Sequence, residues 1–344
     1  MGTGSGRSLA RALATASRNT LRLRVFSVFV SFAAMLAVFA ATTPNFATFQ
    51  NLRVIAFNAS LLTIVACAEA IVVITRNLDV SVGSIIGLAG YVSAKFAAAN
   101  PGGGPLIVAV AVAIGLLLGL GNGLAVAYGG VPSIVATLGT LAIYRGITFL
   151  IGRGIEVPSG NLPRWMIRGA DGTVLGIPVV VILAVAIAVA LTWALRAMPI
   201  FRRVYAVGSN PGAAEFYGLR AHRVVLFAYA VSGALVGLAA FLYVSRVGTI
   251  TVNLGRDWEL TALAAVVLGG VSMTGGSGNL VGVLFAALIL STIDNGLVLA
   301  HAPEFWRMFI QGAAIVGAIA LDAGIERRLQ SLLKHAPPQR GAAP

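Results

Sequence analysis

Charge is scarce in this chain: only 10% of its 344 residues are Asp, Glu, Lys or Arg, against roughly a quarter in an ordinary soluble domain. Hydrophobic residues make up 58%, and the mean hydropathy is +0.93. Several apolar runs approach or exceed the roughly 20 residues that a helix needs to cross a hydrocarbon core about 30 Å thick. These features exclude a soluble domain and indicate an integral membrane protein.

Residues that carry chemistry are equally scarce. The single cysteine, Cys67, lies in an apolar run, so neither a disulfide within the chain nor a cysteine metal cluster is available. The three histidines, His222, His301 and His335, have no metal-ligand spacing. The phosphate-binding loop, the zinc-protease motif and the nucleophile elbow are all missing. We therefore predict no catalytic site, no metal and no cofactor in this chain, and any driving ATPase must be a separate protein.

The apolar runs, broken at proline, glycine and charge clusters, predict an all-α fold: a polytopic membrane helix bundle of about ten transmembrane helices. The eighth span is short enough to be tilted, broken or re-entrant. The spans are predicted near residues 25–42, 54–75, 81–99, 106–128, 132–151, 177–197, 224–245, 259–273, 279–299 and 306–322.

The distribution of arginine and lysine predicts the orientation, because cytoplasmic loops carry the excess of these residues. The formal charge of +13 is spread over tails and loops, which favours a topological role over nucleic-acid binding. We expect both termini to be cytoplasmic. The domains are then a basic tail, 1–24, a transmembrane domain, 25–322, with a long inside segment at about 198–223, and a cytoplasmic tail, 323–344.

Polar side chains at membrane depth are the candidates for a substrate pathway, since an Asp, Lys or Arg there costs about 2.5 to 3.5 kcal/mol and tends to face the protein interior or water. For Glu69, lining a pathway and making a structural hydrogen bond are both open interpretations. Asp79 is compatible with capping a helix that begins near Ser81, with a polar site beside a membrane-depth loop, or with both. The candidates are Glu69, Asn77, Asp79, Ser81, Asn122, Asp294 and Asn295.

Glycine is abundant, at 41 residues, and often recurs every fourth position. Gly115, Gly119 and Gly123 form one such row, and Gly233 and Gly237 form another. Because this spacing lets membrane helices approach closely, it predicts helix packing rather than a binding site.

Four sequence blocks together resemble permeases of bacterial ABC importers for simple sugars, the ribose, rhamnose and autoinducer-2 group. The first is VITRNLDVSVGSIIGLAG, which is similar to that group's Ile-Thr-Gly-Gly-Ile-Asp-Leu-Ser-Val-Gly signature. Three more follow in the same order at 131–147, 202–224 and 259–288. The resemblance covers most of the chain from about residue 50 to 322. Arg76 and Asn77 depart from the usual Gly-Gly pair and look more like the rhamnose and autoinducer-2 permeases.

The resemblance implies a set of partners: a second permease subunit, identical or not, a periplasmic sugar-binding protein, and two copies of a cytoplasmic ATPase that binds ATP and Mg²⁺. It also implies that the segment from Gly208 to Leu219 is the cytoplasmic coupling loop that seats in the ATPase. Glu215 falls where a basic residue is common. The coupling-loop residues are Gly208 and those that match the group's loop pattern, namely Asn210, Pro211, Ala213, Ala214, Glu215 and Gly218.

Three functions are compatible with these observations. The main hypothesis is the membrane subunit of an inner-membrane ABC importer for a simple sugar. The likeness to the rhamnose and autoinducer-2 permeases favours a deoxy sugar or an autoinducer-2-like molecule as its substrate. A secondary transporter or channel driven by an ion gradient through Glu69 is the alternative, and a membrane scaffold is the third. The sequence shows no ladder of intramembrane acids, which disfavours the ion-driven alternative.

Overall fold

The computed structural model describes residues 32–33, 35–247, 249–306, 308–310, 312, 313 and 316. The helices labelled here are α1 (Phe49–Ile74), α2 (Val82–Ala99), α3 (Pro105–Ala127), α4 (Ser133–Gly152), α5 (Arg164–Asp171), α6 (Val179–Ala197), α7 (Pro199–Ser209), α8 (Pro211–Phe216), α9 (Ala221–Val244), α10 (Trp258–Leu268) and α11 (Leu280–Leu299). The two-residue strands are β1 (Val157–Pro158), β2 (Thr173–Val174), β3 (Ile177–Pro178) and β4 (Thr249–Ile250). Strand β1 pairs antiparallel with β4, and β2 pairs with β3.

Within the part of the chain that the structure describes, seven helices are long and apolar enough to cross a membrane: α1 to α4, α6, α9 and α11. Each begins and ends within about five residues of a predicted span, so the prediction of a polytopic helical membrane protein is confirmed. The predicted span 259–273 contains a helix of only 11 residues, α10, because Gly269 and Gly270 follow it and Gly270 adopts a left-handed φ of 81°. The predicted spans 25–42 and 306–322 and both tails lie wholly or partly outside the described residues.

Helix α1 occupies the centre of the bundle. Its 26 residues are apolar on all sides, and 94% of the residues in its most hydrophobic 18-residue stretch are buried. A helix without a polar face is expected in the interior, surrounded by other helices. Helices α2, α6, α9, α10 and α11 all pack against α1 or against each other around it. By contrast, only 22% of the residues in the most hydrophobic 18-residue stretch of α4 are buried, which leaves α4 a broad apolar surface.

The glycine rows pack α3 against α9, as predicted. A Cβ atom placed on Gly115 would overlap the backbone of Gly233 and Gly237, and one on Gly119 would overlap the backbone of Tyr229 and Gly233. The two helices therefore make backbone contact that no other residue type permits at these positions.

Helices α2 and α10 both begin beside α1 rather than at its ends. The turn before α2 contacts Glu69, which lies about one and a half turns before the end of α1. The first residue of α10, Trp258, shares a cavity with Leu62 of α1. The two helix starts also meet each other, since a Cβ on Gly83 would overlap the Gly255 carbonyl oxygen and the Glu259 carboxylate. Helices that begin inside the membrane are typical of the polar sites of transporters.

Candidate substrate pathway and coupling segment

Four of the predicted pathway residues form one buried group, which we call the membrane-depth cluster: Glu69, Asp79, Ser81 and Asn122. Asp79 Oδ1 accepts hydrogen bonds from Ser81 N at 2.9 Å and Ser81 Oγ at 2.6 Å. Asn122 Nδ2 donates to Ser81 Oγ at 2.7 Å and lies 3.2 Å from both Asp79 carboxylate oxygens. The Asp79 backbone N–H donates to Glu69 Oε1 at 3.0 Å. The cluster therefore ties α1, α2 and α3 together.

Helix α2 begins one residue after Ser81, which is its N-cap. Asp79 binds the Ser81 backbone N–H rather than an N–H inside the first helical turn, so it fixes the entry into the helix instead of capping the helix directly. The sequence left two interpretations of Glu69 open, lining a pathway and making a structural hydrogen bond. Glu69 does make such a hydrogen bond, with the backbone N–H of Asp79. Its second carboxylate oxygen, Oε2, is buried and has no hydrogen-bond partner among the described residues.

Hydroxyl groups from α4 and α9 hold the turn formed by residues 75–81. Tyr229 OH donates to the Leu78 carbonyl oxygen at 2.9 Å, and Thr137 Oγ1 accepts from Val80 N at 3.1 Å. Tyr144 OH lies 3.1 Å from Asn122 Oδ1 and extends the cluster toward α4. Sequence reasoning missed these three residues because hydroxyls are common in membrane helices and nothing in their spacing relates them to Asp79.

The other three predicted residues lie elsewhere. Asn77 turns back on its own turn, where Nδ2 donates to the Thr75 carbonyl oxygen and hydroxyl at 3.0 Å. Asn295 accepts from Asn51 Nδ2 at 2.9 Å and joins α11 to the start of α1. Asp294 lines a separate cavity. The predicted set of seven is thus divided between one cluster, one local turn and one distant region.

The cavity that contains Asp294, here called the Trp258 cavity, has a volume of about 250 Å³. The rings of Tyr243 and Trp258 pack in it with their centroids 5.2 Å apart. Its polar lining includes Asn58, Arg256, Asp257, Thr261, Ser291, Asp294 and Glu304. A pocket that combines aromatic faces with amide, hydroxyl and charged groups suits a small, hydroxyl-rich ligand.

Arg145 and Glu259 are charged residues of the helix bundle that the sequence analysis did not select. Arg145 of α4 donates from Nη1 to the Leu254 carbonyl oxygen at 2.7 Å, and Glu259 has a buried carboxylate oxygen beside Gly83. The rule that flagged Glu69, a charge inside an apolar run, applies equally to Arg145 and would have found it. Arg145 and Glu259 both lie where the starts of α2 and α10 meet.

The predicted coupling loop consists of α7, α8 and the turns around them. The side chain of Asn210 accepts from Ala213 N at 3.0 Å and caps α8, and Pro211 occupies the first helical position. Ala214 is buried, whereas Phe216 and Tyr217 are 94% and 89% exposed. Asn210 and Pro211 thus define the start of the short helix α8. Glu215 and Gly218 are exposed, and Gly218 has a left-handed φ of 78°.

The coupling segment is packed tightly against the end of α1. A Cβ on Gly208 would overlap the Ile74 carbonyl oxygen, and the same oxygen accepts from Gly276 N at 2.9 Å. Tyr205 OH donates to the Gly278 carbonyl oxygen at 3.1 Å, and burial raises the pKa of Tyr205, so the hydroxyl stays neutral. The end of α1, the coupling segment and the 272–278 loop therefore meet at one junction.

Comparison with known proteins agrees with this architecture. A family model described as the permease component of branched-chain amino acid transport systems matches residues 51–319. The chain belongs to this family of transport permeases. The resemblance to permeases of ABC importers, and with it a multi-pass location in the bacterial inner membrane, is confirmed.

The curated relatives of this permease include the autoinducer 2 import system permease proteins LsrC. The protein from Enterobacter sp. strain 638 is 35% identical over 320 residues, which cover 92% of this chain and 91% of the relative. The Klebsiella pneumoniae protein has the same identity and coverage. The Yersinia pseudotuberculosis protein is 34% identical over 293 residues, or 83% of this chain and 82% of the relative. No solved structure gave a significant match.

Proposed function

We propose that this permease imports a small hydroxyl-rich molecule, either a simple sugar such as a deoxy sugar or an autoinducer-2-like compound. The Trp258 cavity is the observation that carries this proposal. It offers the Tyr243 and Trp258 rings for the apolar faces of such a ligand and Asn58, Ser291 and Asp294 for its hydroxyls. The names of the LsrC relatives support the same substrate class.

The orientation that we propose places the coupling segment in the cytoplasm and the Trp258 cavity toward the outside. Arg202, Arg203, Arg220 and Arg223 concentrate in the coupling segment, as expected for an inside loop. The cavity residue Asn58 and the junction residue Ile74 lie about 24 Å apart along α1, at 1.5 Å per residue. In this orientation the bundle has about ten transmembrane helices, with both termini inside.

The partners that we propose follow from the exposed surfaces. The aromatic side chains of Phe216 and Tyr217 project from the coupling segment and would seat in a cytoplasmic ATPase, which binds ATP and Mg²⁺ itself. The apolar surface of α4, with Val135 and Leu150 61% and 76% exposed, suits lipid or a second permease subunit. A periplasmic binding protein would deliver the substrate to the cavity side.

The mechanism that we propose is alternating access. Substrate released by the binding protein enters the Trp258 cavity and then passes the region where α2 and α10 begin beside α1. The membrane-depth cluster lies at the start of α2, nearer to the coupling segment than the cavity is. Closure of the ATPases moves the coupling segment and changes how these helix starts pack. A passage that must release its cargo is expected to hold it through a few hydrogen bonds and ring contacts only.

Uptake by the reconstituted complex tests this function. Proteoliposomes that contain the permease, its ATPase and its binding protein should accumulate labelled sugar or autoinducer-2 only with internal ATP and Mg²⁺. If accumulation continues without the ATPase and stops when an ion gradient is collapsed, the ion-driven alternative replaces the proposal. If no tested hydroxyl-rich compound is taken up by an assembled, ATP-hydrolysing complex, the substrate class is wrong.

Replacing Trp258 with alanine should raise the substrate concentration needed for half-maximal uptake by about 3- to 10-fold, the value of one ring contact. The comparison variant is Trp193→Ala, because Trp193 lies on α6, 58% exposed and away from the cavity lining. Its half-saturation should equal that of the unaltered permease. Equal half-saturation for both variants would remove the cavity from the substrate pathway.

A further inference from the structure

Arg76 joins the coupling segment to the turn that carries Asp79. Its Nε donates to the Gly208 carbonyl oxygen at 2.5 Å and its Nη2 to the Ser209 carbonyl oxygen at 2.6 Å. These are the last two carbonyls of α7. The terminal carbonyls of a helix have no partner within the helix and carry the negative end of its dipole. A guanidinium with two donors therefore binds the end of α7 in a fixed orientation.

The arginine is held in place from its other side as well. A Cβ on Gly275 would overlap the Arg76 side chain, so the 272–278 loop packs directly on the arginine stem. The Arg76 backbone is left-handed, with φ of 66°, a conformation that costs a non-glycine residue about 1 to 2 kcal/mol. A strained residue at this position is retained only if its side chain contributes contacts that offset the strain.

The 75–81 turn connects this junction to the membrane interior. Arg76 stands at one end of the turn, and Asp79 lies three residues later in the membrane-depth cluster. Between them, the Leu78 carbonyl oxygen accepts from Tyr229 and the Leu78 N–H donates to Ser133 Oγ at 3.2 Å. With hydrogen bonds at both ends and in the middle, the turn transmits a displacement instead of absorbing it.

We propose that Arg76 is a positioning residue through which movement of the coupling segment reaches the membrane-depth cluster. The inference rests on the proposed function, in which an ATPase moves that segment. Loss of the guanidinium disconnects the two, so ATP hydrolysis continues while the helix starts around Asp79 no longer respond. The coupling segment itself stays attached to the bundle through Gly208 and Tyr205.

The test uses Arg76→Gln and Arg76→Gly in the complete reconstituted complex. Both variants should import about tenfold fewer substrate molecules per ATP hydrolysed, since two charge-assisted hydrogen bonds are lost. The glycine variant separates the side chain from the backbone, because glycine relieves the left-handed strain. If Arg76 served only to form the turn, glycine would couple as well as arginine. Arg164→Gln removes an exposed arginine of α5, outside the coupling segment; it is the control and should couple normally.

Hydrogen exchange gives a readout that a loss of stability alone would not produce. In the unaltered complex, ATP should change the protection of backbone amides from exchange both in residues 210–219 and in the 75–81 turn. In Arg76→Gln the change at 210–219 should persist and the change at 75–81 should disappear. A normal import-to-ATP ratio in Arg76→Gln overturns the inference. If the unaltered complex fails to import at all, the proposed function fails instead.

Discussion

Gly208→Ala should reduce ATP-driven uptake at least about tenfold, although it adds a single methyl group. The new Cβ would overlap the Ile74 carbonyl oxygen and would lie 2.7 Å from the Gly276 backbone nitrogen. Both are backbone atoms joined by a hydrogen bond, so neither can rotate away as a side chain could. Overpacking of this kind costs about 1 to 3 kcal/mol or more. The coupling segment must therefore move off α1, and transport measured in proteoliposomes should fall.

Gly212→Ala is the matched control, because it makes the same change four residues later in α8. Among the described residues, and apart from its chain neighbours and the backbone of its own helix, the only atom within 4 Å of its Cβ is Asn210 Oδ1, at an ordinary contact distance of 3.6 Å. Alanine also favours a helix more than glycine does. This variant should transport at the normal rate. Similar uptake by Gly208→Ala and Gly212→Ala would show that the junction with Ile74 does not take part in coupling.

Asp79→Ala should destabilise the permease by about 3 kcal/mol or more. The substitution leaves the buried Ser81 N–H and the Ser81 hydroxyl without their acceptor, and each unsatisfied buried donor costs about 1 to 3 kcal/mol. Bulk water cannot compensate, because Asp79 is only 2% exposed. The expected result is a lower thermal midpoint of the detergent-solubilised permease and less folded protein in the membrane.

Two further variants make the Asp79 result interpretable. Ser232→Ala removes another buried polar group, but Ser232 Oγ has no hydrogen-bond partner in the part of the chain that the structure describes. Its thermal midpoint should stay unchanged or rise. Asp79→Asn retains an acceptor for Ser81 and should lie between the alanine variant and the unaltered protein. An Asp79→Ala midpoint equal to that of Ser232→Ala would mean that the cluster does not stabilise the bundle.

Much of this permease could be predicted from the sequence, because the features concerned are local or periodic. Apolar run length located the seven membrane-crossing helices of the described chain to within about five residues. The recurrence of glycine at every fourth position predicted close helix packing, although not that α3 would meet α9. The start of α8 also depends on local features, because Asn210 caps the helix and Pro211 occupies its first position. The stretch VITRNLDVSVGSIIGLAG identified the family without any tertiary information.

The site required contacts between distant parts of the chain. Hydropathy marked Glu69, Asp79 and Asn122 alike as polar residues, but only the packing of α1, α2 and α3 joined them and placed Asp294 elsewhere. Tyr144 and Tyr229 carry no charge, so no sequence rule selects them as partners of the 75–81 turn.

By itself, the sequence determined that this chain is a helical membrane permease of a known family, since those properties follow from hydropathy and motifs that are read along the chain. The tertiary structure alone decided that Arg76 binds Gly208 and Ser209, 132 and 133 residues away. It also decided that α2 begins about one and a half turns before the end of α1, and that α10 begins at a cavity shared with Leu62 of α1. The physical reason is that a hydrogen-bond donor in a loop is satisfied by whichever acceptor the fold brings within reach.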